Sequence, residues 1–63
     1  MNWKEINKCP CCGKQYLDEY SICAVCGWEH DPIQRDHPDL EGGANKMSLN
    51  EAREAYKAGK KVL

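Results

Sequence analysis

The clearest hydrophobic pattern in the sequence lies near its end, over residues 48–59. Three apolar residues there are spaced i, i+3 and i+7, which places them on one helical face: Leu49, Ala52 and Tyr56. Ser48 and Glu51 form a capping box at the start of the segment, and Gly59 suits its end. The pattern predicts one C-terminal α-helix whose apolar face packs against the rest of the chain.

A second apolar run, over residues 14–22, favours β-structure. Its apolar members are good strand residues: Tyr16, Leu17, Tyr20 and Ile22. Asp18 and Glu19 lie between them and suit a bend. The run therefore predicts a short β-hairpin.

Residues 1–8 form a short lead-in to this part of the chain. Trp3 and Ile6 are spaced i, i+3 among charged neighbours. This spacing fits either a single helical turn or an extended arm. We expect Trp3 to lie over the neighbouring segment rather than to bind a ligand.

The stretch between the predicted hairpin and helix, residues 28–47, shows neither period. Pro32 and Pro38 argue against an ordinary helix through it. Residues 42–45, Gly-Gly-Ala-Asn, predict a turn. We expect an ordered loop that wraps the preceding segment and is held there by its apolar residues: Trp28, Ile33 and Leu40.

The two ends of the predicted hairpin carry matching Cys-x-x-Cys-Gly units. They place four cysteines in two pairs: Cys9, Cys12, Cys23 and Cys26. Two residues between thiolates allow one tight turn to present both sulfurs to one ion, and two such turns complete the tetrahedron that zinc prefers. Paired units are a far stronger pattern than a lone Cys-x-x-Cys. The sequence predicts one Zn²⁺ held by these four residues, and iron is compatible with the same sulfurs.

Other uses of the cysteines fit less well. Disulfides are common in small cysteine-rich chains, but five cysteines is an odd number and no apolar segment of a secretory signal follows the first residues. A thioredoxin-like pair needs a βαβ context that 63 residues do not supply. Rubredoxins resemble the pattern but separate their pairs by a longer insertion. We expect metal-bound thiolates in a reducing compartment, by default the cytoplasm.

Cys11 is the cysteine outside the two pairs. It fits a partly buried packing residue. It also fits a reactive thiol whose pKa is lowered by the metal and by Lys8 and Lys14. A third possibility is that it replaces Cys9 or Cys12 as a ligand, although only Cys9 and Cys12 match the spacing of the second unit.

A chain of this length would gain stability from a bound metal ion. Sixty-three residues form one domain, and a domain of this size buries too little surface for its core alone to be very stable. The expected fold is a small metal-stabilised α+β domain over residues 1–63. It comprises a zinc-ribbon-like module (9–27, two cysteine turns joined by the β-hairpin), a Pro-containing wrapping loop (28–47) and the C-terminal helix (48–59).

The net charge and the absence of long apolar runs argue against nucleic acid and membranes as partners. The formal net charge is −1, so there is no basic excess for nucleic acid, and no apolar run reaches membrane-spanning length. Residues 28–41 contain five acids against one arginine, a local charge of −4. A second metal site in this stretch is an alternative to simple solvated acids, and its ligands would be His30, Asp31, His37 and Asp39.

Several short motifs, taken together, resemble one family. They occur in order over residues 9–56: Cys-Pro-Cys-Cys-Gly at 9–13, Ile-Cys and Val-Cys at 22–23 and 25–26, Trp-Glu at 28–29, Asp-Pro-Ile-Gln at 31–34, Pro-Asp at 38–39, Gly-Gly-Ala-Asn at 42–45, and Ser-Leu with Glu-Ala-Arg and Tyr at 48–56. The chain resembles the cysteine-rich CPCC family of short, mostly bacterial proteins. The resemblance implies a cysteine-bound metal, most simply zinc, and no particular reaction.

Some residues that match the family lie outside the metal motif: Asp31, Gln34, Asp39, Asn45 and Arg53. One hypothesis is structural, since polar side chains tie loops together in domains with small cores. In that case we expect Arg53 to pair with Asp31 or Asp39. The other hypothesis is a recognition surface.

These features favour a non-catalytic, zinc-stabilised module that binds a protein partner, because four cysteines leave zinc no open position for catalysis. The alternative is a thiol-based redox or metal-handling protein that uses Cys11 and a labile metal. A nucleic-acid-binding zinc ribbon is a weaker alternative.

Overall fold

The computed structural model describes residues 3–63, and Glu5 within them by its backbone only. Three helices occur in this part of the chain: α1 (Trp3–Asn7), α2 (Pro32–Asp36) and α3 (Leu49–Lys57). The two cysteine turns lie between α1 and α2, and the remaining loop joins α2 to α3. The first two residues of the predicted lead-in lie outside the described residues, and the rest of it contains a helical turn.

The predicted β-hairpin over residues 14–22 is not found in the described chain. Its outer residues pair elsewhere: Tyr16 forms a single antiparallel bridge with Lys8, and Ile22 forms one with Glu29. Each bridge closes a cysteine turn from behind. Tyr16 and Ile22 thus take partners across their own cysteine turns rather than each other. Between residues 3 and 63 no strand extends beyond these isolated bridges.

Helix α2 forms between the two prolines of the wrapping loop. Pro32 occupies the first turn, where its missing N–H costs nothing. Asp31 caps the helix by accepting a hydrogen bond from the Ile33 N–H at 2.8 Å. The helix ends at Asp36, two residues before Pro38. The prolines therefore bound a short helix within the predicted loop instead of preventing one.

Helix α3 has the ends that its sequence predicts. Ser48 Oγ accepts from the Glu51 N–H at 3.1 Å, and Glu51 Oε1 accepts from the Ser48 N–H at 2.9 Å. At the other end Gly59 has a φ of 72°, and its N–H donates to Tyr56 O while the Lys60 N–H donates to Ala55 O. This is the Schellman pattern, so both predicted ends of the helix are confirmed.

The apolar core joins the cysteines to helix α3. Its buried members have relative exposures of 6% or less: Cys9, Leu17, Cys23, Trp28, Leu49 and Ala52. The predicted apolar face of α3 thus packs against residues of the two cysteine turns, with Tyr56 half-buried beside it. Cysteines form part of the core itself, so the cysteine cluster and the hydrophobic packing share residues.

The wrapping loop is held mainly by polar groups. Trp28 is fully buried as expected, but Ile33 and Leu40 are 57% and 41% exposed, so the prediction that they pin the loop is wrong. Gln34 takes over this role. The side-chain amide of Gln34 is buried and points its N–H groups toward three carbonyl oxygens. Its nitrogen lies 3.1 Å from Leu40 O, 3.1 Å from Asn45 O and 3.2 Å from Met47 O.

Asn45 completes this arrangement, which we call the Gln34 network (Asp31, Gln34 and Asn45 with the backbone around them). The Asn45 side chain accepts from the Glu29 N–H at 2.9 Å and donates to Glu29 O at 2.8 Å, as a neighbouring strand would. Gln34 Oε1 accepts from both nitrogens of Asn45. Asp31 Oδ2 accepts from the Ala44 N–H at 3.0 Å. All three side chains are buried and serve the fold.

Gly43 allows the backbone to approach this network. A Cβ atom at this position would lie 2.7 Å from Asp31 Oδ2 and 2.8 Å from Gln34 Cδ. Real Cβ atoms do not approach so closely. The second glycine of the predicted turn is therefore required by close packing rather than by an unusual φ.

The remaining two polar residues that match the family lie at the surface. Asp39 Oδ1 accepts from Asn50 Nδ2 at 2.6 Å, which ties the loop to the first turn of α3. Arg53 Nε donates to the Pro10 carbonyl at 2.8 Å. The predicted pairing of Arg53 with Asp31 or Asp39 is wrong, because in the described chain α3 places this side chain over the first cysteine turn.

Candidate metal centre

The first cysteine turn (residues 9–15) is a tight loop closed by backbone hydrogen bonds. The Cys9 N–H donates to Gln15 O at 2.7 Å, and the Gly13 N–H donates to Cys9 O at 2.9 Å. Gly13 has a φ of 70°, a conformation that side chains disfavour. The glycine after the second cysteine thus lets the turn reverse and brings Cys9 and Cys12 to the same side.

The second cysteine turn (residues 23–28) repeats this construction with one residue fewer. The Cys23 N–H donates to Trp28 O at 2.9 Å, and the Gly27 N–H donates to Cys23 O at 2.8 Å. Gly27 has a φ of 88°. The matching glycines therefore play the same part in both turns.

The two turns face each other, and their four predicted ligands converge. The sulfurs of Cys9, Cys12, Cys23 and Cys26 all lie within 4.8 Å of one another. Across the turns, Cys9 Sγ lies 3.6 Å from Cys26 Sγ, and Cys12 Sγ lies 3.7 Å from Cys23 Sγ. A tetrahedral ion with metal–sulfur bonds of about 2.3 Å has sulfurs about 3.8 Å apart. The separations fit a metal and are far longer than a disulfide bond, and all five cysteines are free.

The two ligands of each pair differ in their access to solvent. Cys9 and Cys23 are 2% and 1% exposed, whereas Cys12 and Cys26 are half-buried. The first cysteine of each pair faces the core and the second faces the surface.

Burial and backbone N–H groups set the acidity of these thiols in opposite directions. Burial raises the pKa of Cys12 and of Cys26, although the Lys14 and Trp28 N–H groups partly offset it. Burial also raises the Cys23 pKa, but hydrogen bonds from the Cys26 and Val25 N–H groups and from the Cys12 and Cys26 thiols together outweigh it, so the Cys23 pKa is lowered. These N–H groups are the donors that stabilise thiolates around a metal.

Cys11 lies beside the quartet but outside it. It is half-buried and packs against the core. Burial raises the pKa of the Cys11 thiol, and the groups that oppose this are Cys26 and Arg53. The chain's own groups therefore leave Cys11 less acidic than an ordinary thiol, and neither Lys8 nor Lys14 is among the groups that lower its pKa, as the reactive-thiol alternative required.

The second predicted metal site is not formed. In residues 3–63 the cysteine quartet is the only group of three or more candidate ligands close enough to share an ion. His30 is buried, and its Nε2 lies 3.2 Å from Asn7 Oδ1. Burial, with a smaller effect of Arg35, lowers the pKa of His30, so the ring is neutral at pH 7. Asp31 is committed to capping α2, and His37 is exposed.

An open groove reaches one of the ligands from outside. We call it the Cys26 groove; its volume is about 480 Å³, and the residues that matter here are Val25, Cys26, Tyr56, Lys60, Lys61 and Val62. The position of Lys60 and Lys61 beside the second cysteine turn depends on how the chain runs back after Gly59, which no local pattern predicts.

Two facing cysteine turns with four convergent thiols define a small cysteine-cluster domain that is suited to binding one metal ion. The family model described as Cysteine-rich CPCC matches residues 7–59, and the chain belongs to this family. No curated protein matches the sequence. No helix in residues 3–63 has the length and apolar character needed to cross a bilayer.

Proposed function

We propose that the cysteine quartet holds one structural Zn²⁺ ion and that the domain is non-catalytic. The convergence of four sulfurs at tetrahedral separations carries this proposal. Four thiolates would fill the coordination shell of zinc and leave no position for water or substrate. The ligands Cys9 and Cys23 are also part of the hydrophobic core, which is the place for a metal whose role is to stabilise the fold.

Cobalt substitution tests the ligand set directly. Co²⁺ bound by four thiolates in a tetrahedron has intense visible and near-ultraviolet absorption that depends on the number of sulfur ligands. We expect the chain to bind one equivalent with this spectrum. Cys26→Ser should weaken the sulfur-to-metal band and lower affinity, whereas Cys11→Ser, the matched control, should leave both unchanged. Equal loss in the two variants contradicts the proposed ligands.

We further propose that the metal-stabilised domain binds a protein partner through the outer side of its wrapping loop. Ile33 and Leu40 are exposed large apolar residues of this loop. The exposed acids around them are Asp36, Asp39 and Glu41. Exposed apolar residues in an acidic segment of the chain suit a partner whose surface combines apolar and basic residues.

A pair of variants tests the partner proposal in the cell. Cross-linking in the native host, followed by mass spectrometry, identifies the proteins that contact residues 33–41. Ile33→Ser with Leu40→Ser should abolish their capture while metal content stays the same. Tyr20→Ser, at a residue 54% exposed outside the loop, is the control and should retain capture. Equal capture by all forms overturns the proposed surface.

Metal handling is the second candidate function, and one observation favours it. Cys11, a fifth thiol, packs against the core beside the cysteine quartet, near enough to Cys26 for the two thiols to affect each other's pKa. Such a thiol is placed to assist release of the metal or to be oxidised with a ligand. If Cys11→Ser leaves both metal release and the cellular phenotype unchanged, this candidate is disfavoured.

A further inference from the structure

The Cys26 groove is an opening at the surface that leads to a candidate metal ligand. Its volume of about 480 Å³ lies within the range of about 300–1,000 Å³ that small-ligand sites occupy. Cys26 is half-buried, in contrast to the buried Cys9 and Cys23. A small molecule in this groove would therefore meet the metal centre at its accessible side.

The charge around the groove has a single sign. Lys60 and Lys61 line it, and no acidic residue does. Tyr56, another lining residue, has the Lys14 ammonium 5.8 Å from its ring centroid, which adds a third cation nearby. These cations offset the charge of −2 that four thiolates and one divalent ion would carry. They also attract an anionic ligand.

The groove combines apolar and charged walls. Val25 and Val62 supply apolar surface, and the chain after Gly59 forms the opposite wall, passing near Gly27 at the Val62 carbonyl. A ligand that fits must be small, carry negative charge and, to displace a thiolate from a metal of this kind, present a soft donor atom. Sulfur is the donor that such metals accept.

We propose that the Cys26 groove binds a small anionic thiol, which exchanges with Cys26 at the metal. The inference rests on the proposed binding of a metal by the quartet. In the exchange, the incoming thiol loses its proton and forms a metal–sulfur bond, while the bond from the metal to Cys26 breaks and the Cys26 sulfur takes up a proton. No electrons are transferred, and the charge of the centre is unchanged.

Metal transfer to a chromophoric chelator tests the charge preference. The zinc-loaded protein is mixed with excess chelator and one of three thiols at equal thiolate concentration: mercaptosuccinate (anionic), 2-mercaptoethanol (neutral) or cysteamine (cationic). We expect mercaptosuccinate to accelerate transfer over 2-mercaptoethanol by about threefold or more, because each nearby charge contributes on the order of a threefold effect near a protein surface. The advantage should shrink in high salt.

Three lysine variants show which part of the surface causes the preference for an anionic thiol. Lys60→Glu and Lys61→Glu should each remove most of the advantage of mercaptosuccinate. Lys46→Glu makes the same charge change outside the groove and should retain the advantage. If all three variants lose it equally, net charge is responsible and the groove proposal is overturned. If the cationic thiol is the fastest with the unaltered protein, the lysines only offset the charge of the centre, which also overturns it.

An NMR titration gives a readout that needs no metal transfer. S-methylated mercaptosuccinate keeps the two carboxylates but lacks the thiol, so it should occupy the groove without exchanging. We expect amide shifts confined to residues 25–27 and 59–62, and slower transfer when mercaptosuccinate competes with it. Shifts scattered over the surface contradict a defined site. A chain that takes up no metal contradicts the proposed function as well, whereas a loaded chain without charge preference overturns the groove alone.

Discussion

The cysteine turns and the wrapping loop compensate for a small core in different ways. In the turns, backbone hydrogen bonds shape each loop, and four thiols face one another at 3.6–4.8 Å, a geometry that suits one bound metal ion. In the wrapping loop, the donors and acceptors of the Gln34 network are paired with other groups of the protein. In the proposed function the first region depends on a bound ion, whereas the second is stabilised by the protein's own side chains.

This difference implies that different changes destabilise the two regions. A metal-bound module responds to chelation and to loss of a thiolate. A buried hydrogen-bond network responds to the loss of one partner, because the other partner is then buried and unsatisfied. Since both regions share the core around Trp28 and Leu49, damage to either one also weakens the other.

Metal removal should have the largest effect. A structural zinc contributes on the order of 10 kcal/mol at neutral pH, which matches the whole stability of a typical small domain. We expect a strong chelator to abolish the dispersed amide signals of both regions, and added Zn²⁺ to restore them. The check is a proton–nitrogen NMR spectrum before and after chelation, with metal content measured in parallel. An unchanged spectrum from metal-free protein would contradict the dependence of the turns on a ligand.

Gln34→Ala should have the next largest effect, and it should act without removing the metal. It leaves several buried backbone groups unpaired, each worth about 1–3 kcal/mol, so we expect a loss of about 3 kcal/mol or more. Gln15→Ala is the matched control, since Gln15 makes a single exposed bond to the Ala24 N–H. Thermal unfolding of the zinc-loaded proteins measures both. Similar melting temperatures for the two variants would show that the network is not what holds the loop.

Gly43→Ala should destabilise the same network by steric contact. The new methyl group would meet Asp31 and Gln34 at less than 3 Å, and we expect a cost of about 1–3 kcal/mol. Gly42→Ala is the companion variant: Gly42 has open space but a φ of 75°, so only backbone strain of about 1 kcal/mol applies. A smaller loss for Gly43→Ala than for Gly42→Ala in the same unfolding assay would argue against the close approach.

The smallest expected effect is a pH dependence of folding stability that arises from His30. Burial lowers its pKa below the ordinary value of about 6.5, so the unfolded chain binds the proton more readily than the folded chain. The stability that comes from keeping His30 neutral is therefore fully present above about pH 6.5. The free energy of unfolding then decreases as the pH falls toward the folded-state pKa of His30. An NMR titration of the imidazole in the zinc-loaded protein checks this. A midpoint above 6.5 would reverse the sign.

The convergence of the four cysteines and the C-terminal helix could be predicted because both rest on short-range patterns. Two Cys-x-x-Cys-Gly units determine their own turns, and the Ser48–Glu51 capping box lies within one helical turn. The hairpin prediction failed because residues that favour strands paired across the cysteine turns instead. The roles of Gln34, Asn45 and Arg53 depend on contacts between distant segments, such as Arg53 with Pro10, which spacing in a single sequence does not reveal.

The most direct test of the account is native mass spectrometry of the freshly purified protein together with a count of free thiols. The account predicts one zinc ion per chain and a single titratable thiol in the folded state, namely Cys11, because the other four of the five cysteines are held by the metal. Protein that carries no metal and few free thiols would contradict the account, since the cysteines would then be oxidised rather than metal-bound.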